Sequence, residues 1–164
     1  MKIILTGSLG NIGKPLTRML VQKGNAVTVI SSNPQRIKDI EALGATAAIG
    51  TMQDVALLSE TFKGADIVFL METMEAVGDM FDKNIDFITD ITQIGVNYKN
   101  AVEASGVKRL IHLSSIGANL EKGNGILRFH HNVEAVLNQL SDTVAIKFIR
   151  PVGYYINLFS FVNT

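Results

Sequence analysis

Lys2-Ile3-Ile4-Leu5-Thr6-Gly7-Ser8-Leu9-Gly10-Asn11-Ile12-Gly13-Lys14-Pro15-Leu16-Thr17-Arg18-Met19-Leu20 is the stretch that decides the fold. Ile3 to Leu5 is too short for a helix and suits a strand buried on both faces. Gly7, Gly10 and Gly13 then let the backbone turn sharply and approach something bulky that a Cβ atom would block. The pattern that follows is helical and lays Ile12, Leu16, Met19 and Leu20 along one face. The first free N–H groups of such a helix point back at the turn. Unpaired donors and a positive dipole end favour a phosphate, which makes a pyrophosphate the natural occupant.

The spacing is Gly-x-x-Gly-x-x-Gly, not the Gly-x-Gly-x-x-Gly of the standard dinucleotide fingerprint. The motif needs a strand before it and a helix after it, and this stretch supplies both. The plainer alternative is a tight strand-to-helix turn without a ligand.

Composition bounds the rest. At 164 residues one domain with a real core is expected, and 47% apolar against 18% charged residues argues against disorder. Formal net charge is zero without a basic run, so neither a nucleic-acid surface nor an anionic membrane is expected as partner. The absence of cysteine excludes disulfides and thiol catalysis and agrees with a reducing compartment. The chain enters its first strand without a leader, and no run reaches transmembrane length free of charge or glycine. The expectation is a soluble, cytoplasmic protein.

Outward from the opening stretch, apolar strands and helices alternate. Ala26 to Ile30 reads as a second strand, being nearly all β-branched, and Asn33-Pro34 opens a short helix that Gly44 stops. Ala45 to Ile49 is a third strand, a helix covers Asp54 to Phe62, and Ala65 to Met71 is a fourth strand. Glu72 to Lys83 lacks periodicity and reads as a loop or mobile segment, either bordering a ligand or merely connecting. A long helix runs from Asn84 to Ser105 with Ile85, Ile88, Ile91 and Ile94 as its stripe and Gly106 as its stop. Val107 to Ser115 is a fifth strand, Leu127 to Leu140 a helix, and Val144 to Ile149 a sixth strand. Such alternation means right-handed crossovers and a parallel sheet covered on both faces. Val152 to Val162 is apolar and aromatic and is expected to be the start of a truncated region.

Together these pieces resemble the NmrA-like NAD(P)-binding proteins of the atypical short-chain dehydrogenase/reductase superfamily. The matching residues are Thr6-Gly7-x-x-Gly10-x-x-Gly13, Asn33-Pro34, Lys63-Gly64-Ala65-Asp66, Ala104 to Arg109, Leu113 to Ala118, and Ile149-Arg150-Pro151, in the family's order along the whole chain. The resemblance implies an α/β fold, a Rossmann-type doubly wound parallel sheet of about six strands with helices on both faces. It implies an NAD(P)-binding domain over residues 1–151, with residues 152–164 beginning a substrate-binding region. Carried onto this chain, the cofactor positions are Gly7, Ser8, Leu9, Gly10, Asn11, Ile12, Gly13, Ser31, Ser32, Asn33, Arg36, Thr51, Met52, Leu70, Met71 and Ser114.

The tip of the second strand addresses cofactor choice. An NAD site places an acid there to accept from the ribose hydroxyls. Ser31-Ser32-Asn33 has none, which leaves room for a 2′-phosphate held by the serine hydroxyls and the Arg36 guanidinium. NADP(H) is therefore expected in preference to NAD(H). Arg36 reads equally as an exposed helix residue. The family commonly carries an Asp after the glycine that ends the third strand, where this chain has Thr51 and Met52.

Catalysis departs from the pattern. Relatives use a Tyr with a Lys four residues later, and setting Glu134 and Leu137 in register puts Ile126 at the tyrosine and His130 at the lysine. Isoleucine transfers no proton. His130 and Ser115 remain the catalytic candidates, His130 to bind the nicotinamide ribose or donate a proton, or else as a plain helix-face histidine. Ser114 and Ser115 form a polar wall or a strand-end cap. Tyr154 and Tyr155 border the substrate or pack against further chain. Adjacent His130 and His131 face different ways, and no metal site is expected. The sequence thus reads as an NAD(P)H-dependent reductase of a quinone or small carbonyl compound. The alternative is a non-catalytic NADP(H)-binding redox sensor. The partner is a small molecule, and the oligomeric state stays open, a dimer included.

Overall fold

The computed structural model describes residues 1–78 and 82–161. Six strands, β1 (Lys2–Leu5), β2 (Ala26–Ser31), β3 (Thr46–Ile49), β4 (Ile67–Leu70), β5 (Arg109–Leu113) and β6 (Ala145–Ile149), form one sheet in the order β3-β2-β1-β4-β5-β6. Every pairing is parallel. This is the doubly wound order in which the chain reverses direction across the sheet between β1 and β4, and a crevice opens there beyond the strand C-termini.

Alternating strand residues point to opposite faces, and each face has its own core. Ile3, Leu5, Val27, Val29 and Phe69 pack with Ile40 and flanking Leu16 and Leu20, under α1 (Gly13–Gln22) and α2 (Ile37–Glu41). Ile4, Ile30, Val68, Leu70 and Leu110 pack with Leu58, Phe62, Ile91, Tyr98, Val133 and Leu137, under α3 (Val55–Phe62), α4 (Phe87–Ser105) and α5 (Arg128–Leu137).

Local chemistry sets the ends. The Asp54 and Asp86 carboxylates cap α3 and α4 by accepting from the N–H of Leu57 and Thr89 at 2.9 and 3.2 Å. The α4 cap makes Phe87 the first helical residue, where the periodicity had suggested Asn84. Gly106 ends α4 in the left-handed region, at φ +73°. The buried side of α1 is Gly13 and Thr17, whereas Met19, expected on that face, is half exposed. The stretch after β4 contains a 3₁₀ turn over Met74–Ala76, and the expected loop's residues 79–81 lie outside the described ones, as does Val162 of the tail. Tyr155–Phe161 forms another 3₁₀ segment, with Tyr155 and Phe159 exposed. Among the described residues no helix is long and apolar enough to cross a membrane.

Candidate functional site

The glycine turn is held by bonds to both neighbouring strands. Thr6 donates its N–H to the Phe69 carbonyl at 3.0 Å, and Ser8 to that of Ile30 at 3.1 Å. Ser8 adopts φ +58° and sends its hydroxyl to Ser31 Oγ at 2.9 Å. Each glycine has its own reason. Gly7 sits at φ +86°, and a Cβ there would lie 2.5 Å from Met71 Cγ and Sδ; one on Gly13 would lie 2.0 Å from the Ser8 carbonyl oxygen. A Cβ on Gly10 would meet nothing within 4 Å and would project into open space. Behind it α1 begins at Gly13, with Ile12 at the N-cap position, no side-chain cap and no acid in its first turn. A concave turn at a helix N-terminus and the open space beside Gly10 fit a pyrophosphate; within the first turn Lys14 and Leu16 donate their N–H groups to the Gly10 and Ile12 carbonyls and Pro15 has none, so the donors left are those of the turn itself.

A cleft extends both ways from this turn along the strand C-termini. On the β2–β3 side a cavity of about 200 Å³ is lined by Gly7, Ser8, Ser31, Ser32, Thr51 and Met52, with Gln53, Thr73 and Ala76 closing it. It continues into a groove bounded by Leu9, Gly10, Asn33, Arg36 and Met71. Arg36 is exposed and pairs with Asp39 at 3.3 Å, a surface pair easily exchanged for an incoming anion. Asn11 and Ile12 face Met71 and Tyr154 across a further opening. On the β4–β5 side a chamber of about 440 Å³ is walled by Met71, Glu72, Ser114, Ser115, Ile126, His130 and Tyr154. The cleft thus gathers most residues singled out from the sequence. Gly13 is buried beneath Ser8 and Leu70 lies in the core; neither lines these cavities, and Tyr155 is 89% exposed outside them.

Beneath the chamber lies a polar layer of which sequence reading singled out only Ser114 as a site residue. Thr6, Glu72, His112 and Ser114 continue the parity of Ile4, Leu70 and Leu110, so all four turn toward α4 and α5. Tyr98, fully buried on α4, donates its hydroxyl to the Met71 carbonyl at 2.7 Å and lies 3.1 Å from Thr6 Oγ1. Burial above all, with the Glu72 carboxylate adding to it, pushes its phenol well above the usual range. His112 Nε2 stands 3.1 Å from both Glu72 oxygens. Ser114 donates to Glu134 Oε1 at 2.6 Å, and Arg150 clamps the same carboxylate through Nε at 2.8 Å and through Nη2. Burial opposes the charged form of Glu134, yet the Arg150 and Ser114 hydrogen bonds outweigh it and hold the carboxyl below its usual value. His130 stacks against Phe129 with ring centroids 4.0 Å apart, and its Nδ1 is buried without a partner. Burial lowers its pKa from 6.5 to about 4, against the pull of Glu72. His131 instead donates through Nδ1 to the Ala118 carbonyl at 2.9 Å.

The model of a family described as NAD(P)H-binding matches residues 7–145, from the glycine turn to the first residue of β6. The chain belongs to that family. Its recognition from the motifs as an NmrA-like, atypical short-chain dehydrogenase/reductase protein agrees with this. A sterol-4-alpha-carboxylate 3-dehydrogenase, decarboxylating, of Dictyostelium discoideum is 29% identical over 127 residues, which are 74% of this chain and 38% of that protein. The NADPH-dependent quinone oxidoreductase of Escherichia coli, solved with NADPH, superposes with a TM-score of 0.77 at 21% identity, over 98% of this chain and 52% of that one. Triphenylmethane reductase of Citrobacter sp. also gives 0.77, at 19% identity over 98% and 54%. The chain therefore spans about half the length of these solved structures, and the likeness to them is one of fold.

Proposed function

We propose that this protein binds NADP(H) along the cleft and reduces a quinone or another small carbonyl compound by direct hydride transfer. One observation carries this reading: a single cleft joins an acid-free rim, Ser31 to Arg36, to a mostly apolar chamber holding His130, Ser115 and Tyr154. In sheets of this order the adenosine half lies over β2 and β3, and the nicotinamide half over β4 and β5. The glycine turn and the N-terminal end of α1 take the pyrophosphate, Ser32 and Arg36 take the 2′-phosphate, and the chamber takes the nicotinamide with the acceptor against Tyr154. A nicotinamide bound there supplies a hydride and is left with a positively charged ring.

His130 is neutral at physiological pH because burial disfavours its cation, so it orients the ribose or acceptor through hydrogen bonding. Water then provides the proton, which a quinone acceptor tolerates. Residues 1–151 form the cofactor-binding domain, and the stretch from 152 onward begins the substrate side. The cytoplasm, which supplies NADPH, is the proposed location. The test is calorimetric titration with NADP and NAD, followed by NADPH oxidation against a panel of quinones. Absence of turnover with every quinone refutes the reductase reading.

A second reading, a redox sensor that binds NADP(H) without turnover, is favoured by Ile126. It lines the chamber wall, the register on Glu134 and Leu137 sets it against the relatives' tyrosine, and it has no proton to give. Equal affinity for NADP and NADPH, with no partner captured by either form, removes that reading.

A further inference from the structure

Resting on the proposed cofactor site, we infer that Glu72 is a fixed negative charge beneath the nicotinamide position and that it favours the oxidised cofactor over the reduced one. The starting point is placement. His112 is the register partner of Leu70, and Glu72 follows Leu70 by two residues, so both side chains leave the sheet on the α4–α5 face at the chamber floor. The Glu72 side chain is 1% exposed and that of His112 is fully buried.

Hydrogen bonding fixes the charge of the pair. His112 Nε2 faces both carboxylate oxygens at 3.1 Å, whereas its Nδ1 is buried with no partner. An imidazolium would carry a second N–H there, enclosed without an acceptor, at the full cost of an unmade bond. The neutral ring with its proton on Nε2 leaves only a bare lone pair. With the ring neutral, the charge of the couple is that of the Glu72 carboxylate.

Among the described residues no lysine or arginine neutralises it. The facing groups on α4 and α5 are the Tyr98 phenol and the His130 ring, both uncharged at neutral pH, and Arg150 is engaged by Glu134. No lysine or arginine among the described residues forms an ion pair with Glu72; its partner is His112. In so dry a place a charge is poorly screened, and it distinguishes a ring carrying a positive charge from a neutral one.

The experiment compares dissociation constants of NADP and NADPH, measured separately by calorimetry on the full chain and on Glu72→Gln. The expected result is an affinity for NADP lowered about tenfold while that for NADPH changes less than about threefold. A Glu72→Leu/His112→Phe double variant removes the charge without orphaning either partner and should give the same change in ratio if the single variant does not fold. A ratio that stays constant in the variants overturns the inference, whether both affinities fall together or neither does. Failure of the unaltered protein to bind either nucleotide instead overturns the proposed cofactor site, and the inference with it.

Discussion

Replacing Gly10 by alanine separates the ligand from the scaffold. A Cβ at this position meets no atom within 4 Å, and Gly10 is not among the glycines at positive φ, so alanine fits the folded chain without strain. Restricting the unfolded chain should then stabilise the protein by about 0.4–1 kcal/mol, a rise of roughly 1–4 °C in Tm for a domain of this size. The same methyl occupies the space through which phosphate oxygens must approach the uncapped start of α1. Losing one charge-assisted hydrogen bond there costs about 1.5–3 kcal/mol, or roughly 10- to 100-fold in affinity. Gly13→Ala is the counterpart: its Cβ would stand 2.0 Å from the Ser8 carbonyl oxygen, and the turn must break to admit it. That variant should lose about 2–4 kcal/mol of stability whatever is bound. Thermal unfolding without ligand and calorimetry with NADPH measure the two effects. A Gly10→Ala protein that keeps its stability and binds NADPH within about threefold of the original refutes a pyrophosphate at this turn.

Other residues along the cleft give sharper individual expectations. Arg36→Ala should weaken NADP by about 10-fold or more and leave NAD nearly unchanged, while Ser32→Asp should reverse the preference; titration with both nucleotides checks this. Arg150→Ala leaves the buried Glu134 with Ser114 alone and should lower stability at pH 7 by about 1–3 kcal/mol. Because the folded pKa of Glu134 lies below its usual value, the stabilisation is present above the unfolded value and lost as pH falls through the folded one, so denaturant curves of variant and original should converge in acid. For His130 the depressed pKa works in the other direction. As pH falls from 6.5 toward about 4 the unfolded chain takes up a proton that the folded chain refuses, so stability declines across that window and His130→Gln should flatten the decline seen in denaturation between pH 7 and pH 4.5.

The sheet was legible because the strands are short, largely apolar and often β-branched runs with glycines or other turn residues beside them, and those features act locally. The cavity rim was legible for the same reason: glycines, the acid-free Ser31-Ser32-Asn33 tip and the strand-end serines lie beside local landmarks. On α1, Ile12, Leu16 and Leu20 pack against the core as expected and Met19 alone was misjudged, because Gly13 presses against Ser8. That contact rotates the helix so that Gly13 and Thr17 face inward and Met19 outward, against what apolar periodicity alone suggests. The polar layer under the chamber was hidden because each of its bonds joins distant segments. Tyr98 reaches Thr6 across 92 residues, and Glu72 meets His112 across 40. The usable signal was parity: a charged or imidazole side chain two residues beyond a core leucine, at the end of a central strand, must face the same covered side.

The reductase and sensor readings differ less than their names imply, because both need the protein to respond unequally to the two redox forms of one ligand. A sensor can shift its equilibrium only by the difference in affinity between those forms. A reductase gains from the same difference, since preference for the oxidised ring assists departure of the hydride. The Glu72–His112 couple supplies that preference from within the folded scaffold, whereas Ile126 removes proton transfer alone. If Glu72→Gln abolishes discrimination and quinone turnover falls in parallel, the charge serves chemistry. If discrimination is lost from a protein that never turned over, the same charge is the sensing element.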